Sequence, residues 1–385
     1  MLEITPSNSS HDLMTTLAAE RIQASLIKNV DNKQYTTVQL GMEDCYQTCT
    51  CAGCNAIISQ YGSVSATVII FLNDVAVKVN NWMKTNSQYA RDLQYMFFAY
   101  NEFQRPPTTF PTISKGVKIV PFVALSHMDH DKAINDTATR DTTALGAISN
   151  NTLYGWLKTW GDFAKANDSK AWAWSYGAFM HDYFVFFDSY TFYGQFFKAL
   201  KEFGYEMSIV QQHSGQRGTD TAFFAMNVYL TNALAWDSSL NINTLIDNYM
   251  NAMYMDAADE MKTLFTKWKS IYASKLSNLA SSNTNPASKL AKSDIDALFD
   301  ILDTAYEAIA HYEASNPALY AKLKAHIDME WLAPAKLAVT GSFAWRYKLS
   351  GTYNEIASKF ETLCNQFGIV ALSEFDTIDA TIAGL

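Results

Sequence analysis

Several absences narrow what this chain of 385 residues can be. No stretch reaches the roughly 18 consecutive apolar residues that a membrane-spanning helix needs. Lys and Arg are not clustered into the basic surface that a nucleic acid requires. The glycine-rich patterns of nucleotide sites and the GxSxG turn of serine hydrolases do not occur. The sequence therefore disfavours a membrane span, a nucleic-acid partner, nucleotide binding and serine-hydrolase chemistry.

What the chain has in quantity is apolar and aromatic residues. Hydrophobic residues make up 49% of it and aromatic residues 14%, while the net charge of −9 is spread without a long run of one sign. This length and composition allow a large core and two or more domains of ordinary size.

Five short apolar stretches, each followed at once by polar residues, have the character of buried strands. Because most are separated by segments of helical periodicity, the sequence predicts an α/β fold with mostly parallel strands. A closed parallel barrel needs eight strand–helix units, so five strands predict an open sheet, a missing pairing partner, or the later part of a larger barrel. The strands are expected at about 35–42, 93–100, 117–125, 170–176 and 206–212, helices at 10–29, 55–84, 151–166, 189–203 and 219–236, and a long polar loop at 126–150.

The last part of the chain contains helical patterns only. Ser293 is a candidate N-cap, Pro317 suits the first turn of a further helix, and Gly368 is a candidate stop for the last one. We therefore expect an α/β domain at 1–240 and a helical bundle at 241–385.

Polar side chains follow each predicted strand, and ligand groups of parallel sheets collect at the carboxyl ends of the strands. Glu43 closes the first strand, where a half-buried carboxyl group can have a raised pKa and act as a general acid, or can simply cap the next turn. Asp129 follows the third strand in a run that can bind a metal or hydroxyl groups. The candidate ligand-binding residues are Asp44, Asn101, Glu102, His127, Trp174, Tyr176, His181, Gln212 and His213.

Aromatic rings alternate along the fourth strand. Trp172, Trp174 and Tyr176 share one face of it, because side chains alternate across a strand. Such a row packs into a core in most proteins, but it can also stack on the C–H faces of a sugar. Together with His181 and Gln212, the rings fit a carbohydrate groove better than a phosphate site.

A turn after the first strand holds most of the cysteines. Thiolates two or three residues apart can converge on Zn²⁺, and the same thiols form disulfides in an oxidising compartment. The turn therefore predicts a structural zinc site or disulfides, with Cys364 as a core residue. The four cysteines are Cys45, Cys49, Cys51 and Cys54.

These segments resemble a known family. The stretches TVQLGMEDCYQTCTCAGC, SVSATVIIFLNDVAVKVNNWM and FFAYNEFQRPP, and later WAWSYGAFMHDY and QQHSG, are similar to the DUF4838 family of glycoside-hydrolase-like proteins over roughly residues 10–275. The resemblance implies a partial TIM-like barrel that lacks the early strands, followed by the helical bundle. It also implies a bacterial protein, secreted or at the cell surface, although the N-terminus carries no signal-peptide pattern.

Three functions remain open from the sequence. In a glycoside hydrolase that requires no cofactor, Glu43 would be the general acid and Asp129 the base or nucleophile, with an oligosaccharide or polysaccharide as partner. In a glycan-binding or degenerate barrel, the glutamines Gln211 and Gln212 at the last strand would bind without cleavage. In a metal-dependent hydrolase, His127, Asp129 and His130 would hold the metal. The oligomeric state is open.

Overall fold

The structure of the chain is a computed structural model. Its secondary structure is mainly helical, around one parallel sheet. The structure describes residues 9–41, 48–142, 145–212, 220–276, 289–340 and 343–385.

The sheet contains five strands in the order β1-β2-β3-β6-β7 and forms a partial α/β barrel, as the sequence predicts. Parallel pairing aligns Thr37 with Gln94 and then Phe98 with Phe122, so that the strand ends lie in register. The first strand is shorter than expected, and the others agree with the predicted segments to within two residues. The strands are β1 (Thr37–Gln39), β2 (Gln94–Ala99), β3 (Lys118–Ala124), β4 (Thr139–Thr142), β5 (Gly146–Ser149), β6 (Trp172–Tyr176) and β7 (Met207–Gln211).

The two faces of the sheet differ in their cover. On one face Tyr95, Phe97 and Ala99 are fully buried, and the ring of Phe97 meets that of Trp160 edge to face at 5.6 Å. Burial of such apolar area is the main stabilising contribution to the fold. The opposite face carries a second aromatic cluster that includes Phe98 and is only partly buried.

Four helices accompany the first strands: α1 (Ser9–Lys28), α2 (Ala52–Tyr61), α3 (Ser65–Thr85) and α4 (Asn150–Ala166). The single helix expected at 55–84 is wrong, because Gly62 ends α2 in the left-handed conformation with φ 76° and donates its N–H to Ile58. The axes of α2 and α3 then differ by 104°. Among the described helices none alone is long and apolar enough to cross a membrane, and only this bent pair reaches that composition.

The loop expected at 126–150 contains a short hairpin. The strands β4 and β5 pair antiparallel, with Arg140 opposite Ile148. Its sequence is too short and too polar to give a clear two-residue alternation, which explains why the pattern predicts a loop. The hairpin ends at Ser149, whose hydroxyl accepts the N–H of Thr152 and caps α4.

The chain divides into two compact units. Unit one comprises Met1–Met128, Asn135–Ser175 and Ala199–Ile209, and unit two comprises Asp129–Ile134, Tyr176–Lys198 and Val210–Leu385. The predicted boundary near residue 240 stays a prediction.

Unit two consists mostly of helices. Pro317 begins α11 (Pro317–Val339), and Gly368 ends α13 (Tyr353–Phe367) at φ 64°, as predicted. The predicted Ser293 cap is wrong, because α9 begins at Lys292 and the carboxylate of Asp294 accepts the N–H of Ala291 at 2.7 Å. The later helices are α5 (Tyr190–Phe203), α6 (Phe224–Trp236), α7 (Ile242–Tyr254), α8 (Ala258–Ile271), α9 (Lys292–Ile309), α10 (Tyr312–Ser315), α11 (Pro317–Val339), α12 (Ala344–Ser350), α13 (Tyr353–Phe367) and α14 (Asp379–Ile382).

Candidate functional site

A strained turn follows β2 in unit one. Asn101 is buried and adopts φ 49°, a left-handed conformation that Asn tolerates better than most residues. The turn directs Glu102 to a half-buried position. Burial raises the pKa of the Glu102 carboxyl group, and the charge of Arg105 partly opposes that rise. A carboxyl group in this setting has the property that a general acid needs.

Glu102 and Arg105 lie in one cleft of about 230 Å³. The hydroxyl groups of Ser63 and Ser65 both donate to the carbonyl of Arg105, at 2.6 and 2.7 Å. The guanidinium of Arg105 lies 5.3 Å from the ring centre of Trp156. The cleft thus presents an acid and a cation on a backbone that two buried hydroxyl groups hold in place, which is a combination that suits a small polar ligand.

Three of the predicted cysteines converge beside this cleft. The sulfur atoms of Cys49, Cys51 and Cys54 lie within 4.8 Å of one another. Cys51 also caps α2 by accepting the N–H of Cys54 at 3.4 Å. Zinc–sulfur bonds of about 2.3 Å place tetrahedral ligand atoms roughly 3.8 Å apart, so small side-chain rotations would let the three thiolates hold a metal ion. Thr48, which directly precedes Cys49, lines the cleft.

His127 lies at the end of β3 in unit one. Burial lowers the pKa of its imidazole to about 4, with a further contribution from the charge of Arg140. Its Nδ1 is 3.1 Å from the hydroxyl of Ser126, and Arg140 on β4 donates to its carbonyl. The ring is therefore neutral near pH 7, the state in which histidine binds metals or shares hydrogen bonds with hydroxyl groups.

Trp174 belongs to the half-covered aromatic face of the sheet in unit one. Its ring lies 6.0 Å from that of Phe98 and 5.6 Å from that of Phe122, while Trp172 meets Phe122 edge to face. Phe122 is buried, whereas Phe98, Trp172 and Trp174 are only partly so. The row of rings is packed but partly accessible, and stacking of a sugar on it stays a prediction.

The remaining described candidates lie in unit two. Asp129 is half-buried at the start of a turn in which the N–H of Lys132 donates to its carbonyl. His181 is exposed against the ring of Phe179 at 5.5 Å. Gln212 donates to the hydroxyl of Thr231 on α6 at 3.2 Å. These three follow β3, β6 and β7 in the chain, as the sequence predicts.

His130 has a different setting from its neighbours. It is 2% exposed and lies among the rings of Tyr176, Phe187 and Phe192, with centroid distances of 6.3, 5.6 and 4.7 Å. The cage includes Tyr176, a predicted ligand-binding residue. Of the proposed metal ligands, His130 and Asp129 belong to unit two and His127 to unit one.

Four predicted residues lie outside the described part of the chain. They are Glu43, Asp44, Cys45 and His213.

A buried carboxyl group in unit two is not predicted from the sequence. Glu330 on α11 accepts the N–H of Phe223 at 2.9 Å and the hydroxyl of Tyr254 at 3.1 Å. Burial raises its pKa to about 8. Ala222 and Phe223 both adopt positive φ, at 54° and 59°, and Glu330 holds this turn at the start of α6. A charged residue inside an apolar helical stretch, four residues before Pro334, is the only sequence signal of its role.

The sheet and the strand-end residues define a class, that of partial α/β barrels with polar groups beyond the carboxyl ends of the strands. The family model described as "Domain of unknown function (DUF4838)" matches residues 5–266, about two thirds of the chain. The chain therefore belongs to the DUF4838 family. A search of curated proteins gives no match.

Proposed function

We propose that the chain is a carbohydrate-active protein of bacterial glycoside-hydrolase type. The observation that best supports this is the cleft of about 230 Å³ at the end of β2, which combines the raised pKa of Glu102 with the cation of Arg105 and the side chain of Thr48. Sugars present many hydroxyl groups, which such side chains bind, and few charges. The half-exposed ring of Trp174 offers a stacking surface in the same unit.

The proposed chemistry uses paired carboxyl groups. Glu43 protonates the leaving oxygen, and Asp129 acts as base or nucleophile on the opposite face of the sugar. A separation of about 5–5.5 Å between the two groups would give retention, and about 6.5–9.5 Å would give inversion. Glu102, which follows the neighbouring strand, binds a hydroxyl group in this scheme.

The test is hydrolysis of a panel of aryl glycosides and plant and microbial polysaccharides by the full chain. With a responsive substrate, Glu43→Gln and Asp129→Asn should each lower kcat by about 100-fold or more, because proton transfer by a positioned side chain contributes about that much. The exposed Glu361→Gln on α13 is the control and should leave the rate unchanged. Full activity of E43Q would contradict the assignment of Glu43 as the general acid.

A second candidate function is glycan binding without cleavage. Two neutral amides, Gln211 and Gln212, stand at the end of β7, where neither can supply or take up a proton in hydrolysis. Gln212 is already engaged with Thr231. Retention on a glycan array, with no product after prolonged incubation, would select this function over hydrolysis.

A third candidate is a metal-dependent hydrolase, favoured by the neutral imidazole of His127. Metal binding requires neutral histidine. Chelation should abolish hydrolysis in this case, and His127→Ala should lower the metal content. Unchanged activity after removal of all metal would exclude it.

We also propose that the cysteine turn holds a structural zinc ion. Cys49, Cys51 and Cys54 would supply three thiolates and Cys45 the fourth. Elemental analysis should give one zinc per chain, and Cys54→Ser should lose it. Cys364→Ala, in the core of α13, is the matched control and should retain the metal. A metal-free protein in which thiol titration detects fewer than five thiols would favour disulfides instead.

A further inference from the structure

The C-terminal segment of unit two forms a closed turn. Ala371 and Thr377 form an antiparallel bridge, and the N–H of Leu372 donates to the carbonyl of Asp376 at 2.9 Å. The hydroxyl of Ser373 accepts the N–H of Asp376 at 3.0 Å. These bonds fix the residues at the tip of the turn.

The turn binds the loop that follows β6. The N–H of Tyr183 donates to the carbonyl of Leu372, and the N–H of Glu374 donates to the carbonyl of Met180, both at 2.9 Å. A backbone bond on each side of the turn leaves little freedom for Glu374. These bonds hold the backbone of Glu374, and with it the base of its side chain, beside the loop after β6.

The same carboxylate reaches the end of β7. Gln211 donates through its Nε2 to the Oε1 of Glu374 at 3.5 Å, across 163 positions of sequence. The Nε2 of Gln211 also lies 3.7 Å from the sulfur of Met180. The strand that ends in two neutral glutamines therefore has an acidic group after all, supplied by the end of the chain. Glu374 lies beyond residue 266, where the family match ends.

Groups suited to a hydroxyl-rich ligand are partly or fully exposed on this turn and loop. Glu374 is half-buried, the side chain of its neighbour Phe375 is 78% exposed, and His181 on the β6 loop is also exposed. A carboxylate can accept two hydroxyl groups at once, and an exposed ring can stack on the apolar face of a sugar. A ring so exposed contributes little to packing and is available to contact a ligand.

We propose that Glu374 and Phe375 contact the glycan in unit two, Glu374 by accepting its hydroxyl groups and Phe375 by stacking on a sugar ring. This rests on the proposed carbohydrate function. The C-terminal turn thereby completes a binding site whose other members, Gln211 and His181, come from the barrel part of the chain. The segment is then part of the binding surface in addition to its structural role.

The test compares Glu374→Gln and Phe375→Ala with the wild type on a glycan array of neutral and acidic oligosaccharides, followed by titration calorimetry with the best-retained oligosaccharide. Glu374→Gln keeps the shape but loses the charge, and we expect affinity to fall roughly 10-fold or more, the usual effect of losing a charged hydrogen-bond partner. Phe375→Ala should weaken binding by a similar factor with an unchanged Tm. Glu361→Gln is the control and should bind as the wild type does.

The outcomes separate the two proposals. Binding by the wild type with undiminished affinity of both variants would overturn the role of the C-terminal turn and leave the carbohydrate function standing. Absence of any glycan binding by the wild type would overturn the carbohydrate function and this role with it. If Glu374→Gln lowers the Tm, the result for Phe375→Ala is used instead. An unchanged glycan affinity of Phe375→Ala would then overturn the inference.

Discussion

Unit one and unit two fix the loops beyond their strands by different means. In unit one, Glu102 and Arg105 remain accessible in an open cleft whose wall is set by Gly62 and serine hydroxyl groups. In unit two, the fully buried Glu330 holds the turn at Ala222 and Phe223 from within. An accessible ionisable group can act on a ligand, whereas a buried one couples the protonation of the chain to its stability.

Among the substitutions that compare the two units, Glu330→Gln should change the pH dependence of the free energy of unfolding the most. The pKa of Glu330, about 8 in the folded chain, lies above its ordinary value of 4.5. Between these values the folded chain holds a proton that the unfolded chain has released. The stabilising contribution of the protonated Glu330 is therefore largest below about pH 4.5. It declines as the pH rises to 8, by up to about 1.4 kcal/mol per pH unit. Urea unfolding at about pH 5 and pH 8 should show a smaller decline for E330Q than for the wild type.

The control for this change is Glu313→Gln on α10, an exposed carboxylate. It should leave the difference between the two pH values as it is in the wild type. An equal decline in E330Q and wild type would show that Glu330 does not couple proton binding to folding, and the contrast between the two units would lose its main support.

His127→Asn should also change the pH dependence of stability, but in acid instead of base and by a somewhat smaller amount than Glu330→Gln. The folded-state pKa of His127, about 4, lies below its ordinary value of 6.5. The unfolded chain therefore binds a proton between these values that the folded chain does not. Its contribution to stability is complete above about pH 6.5 and is lost as the pH falls to 4, again by up to about 1.4 kcal/mol per pH unit.

Asparagine can keep the hydrogen bond of Nδ1 to Ser126 without titrating. Urea unfolding at about pH 4.5 and pH 7 should thus show a smaller loss of stability in acid for H127N, whereas the exposed His181→Asn should behave as the wild type does. If H127N lost as much stability in acid as the wild type, His127 would not be buried as a neutral imidazole in unit one.

The sheet could be predicted from the sequence because its signals are local. Each strand is a short apolar run with a polar end, and Pro317 and Gly368 act on the backbone where they stand. The break at Gly62 is missed because the apolar stripe continues across it. The hairpin β4–β5 is missed because pairing between its strands, and no pattern within either one, stabilises it.

The candidate site could be predicted only in part. Glu102 and His127 follow strands, and their place is a consequence of topology. Glu374 reaches Gln211 from far along the chain, and Glu330 reaches Phe223 from another helix. Glu374 lies in a stretch without a distinctive pattern, and the apolar surroundings of Glu330 indicate burial but no partner, so tertiary contacts assign their roles.

The smallest effect should come from Gly62→Ala, which tests how the cleft wall of unit one is held. Gly62 has φ 76°, and an added Cβ would lie 2.6 Å from the hydroxyl oxygen of Thr108. Gly116 has φ 79° with no atom within 4 Å of the same position, so Gly116→Ala measures the left-handed backbone alone, about 1 kcal/mol. We expect urea unfolding to show a further loss of about 1 kcal/mol for G62A, because Thr108 must move. Equal losses of stability in the two variants would mean that Thr108 moves without cost. Packing at this turn would then not hold the ligand groups of unit one in place.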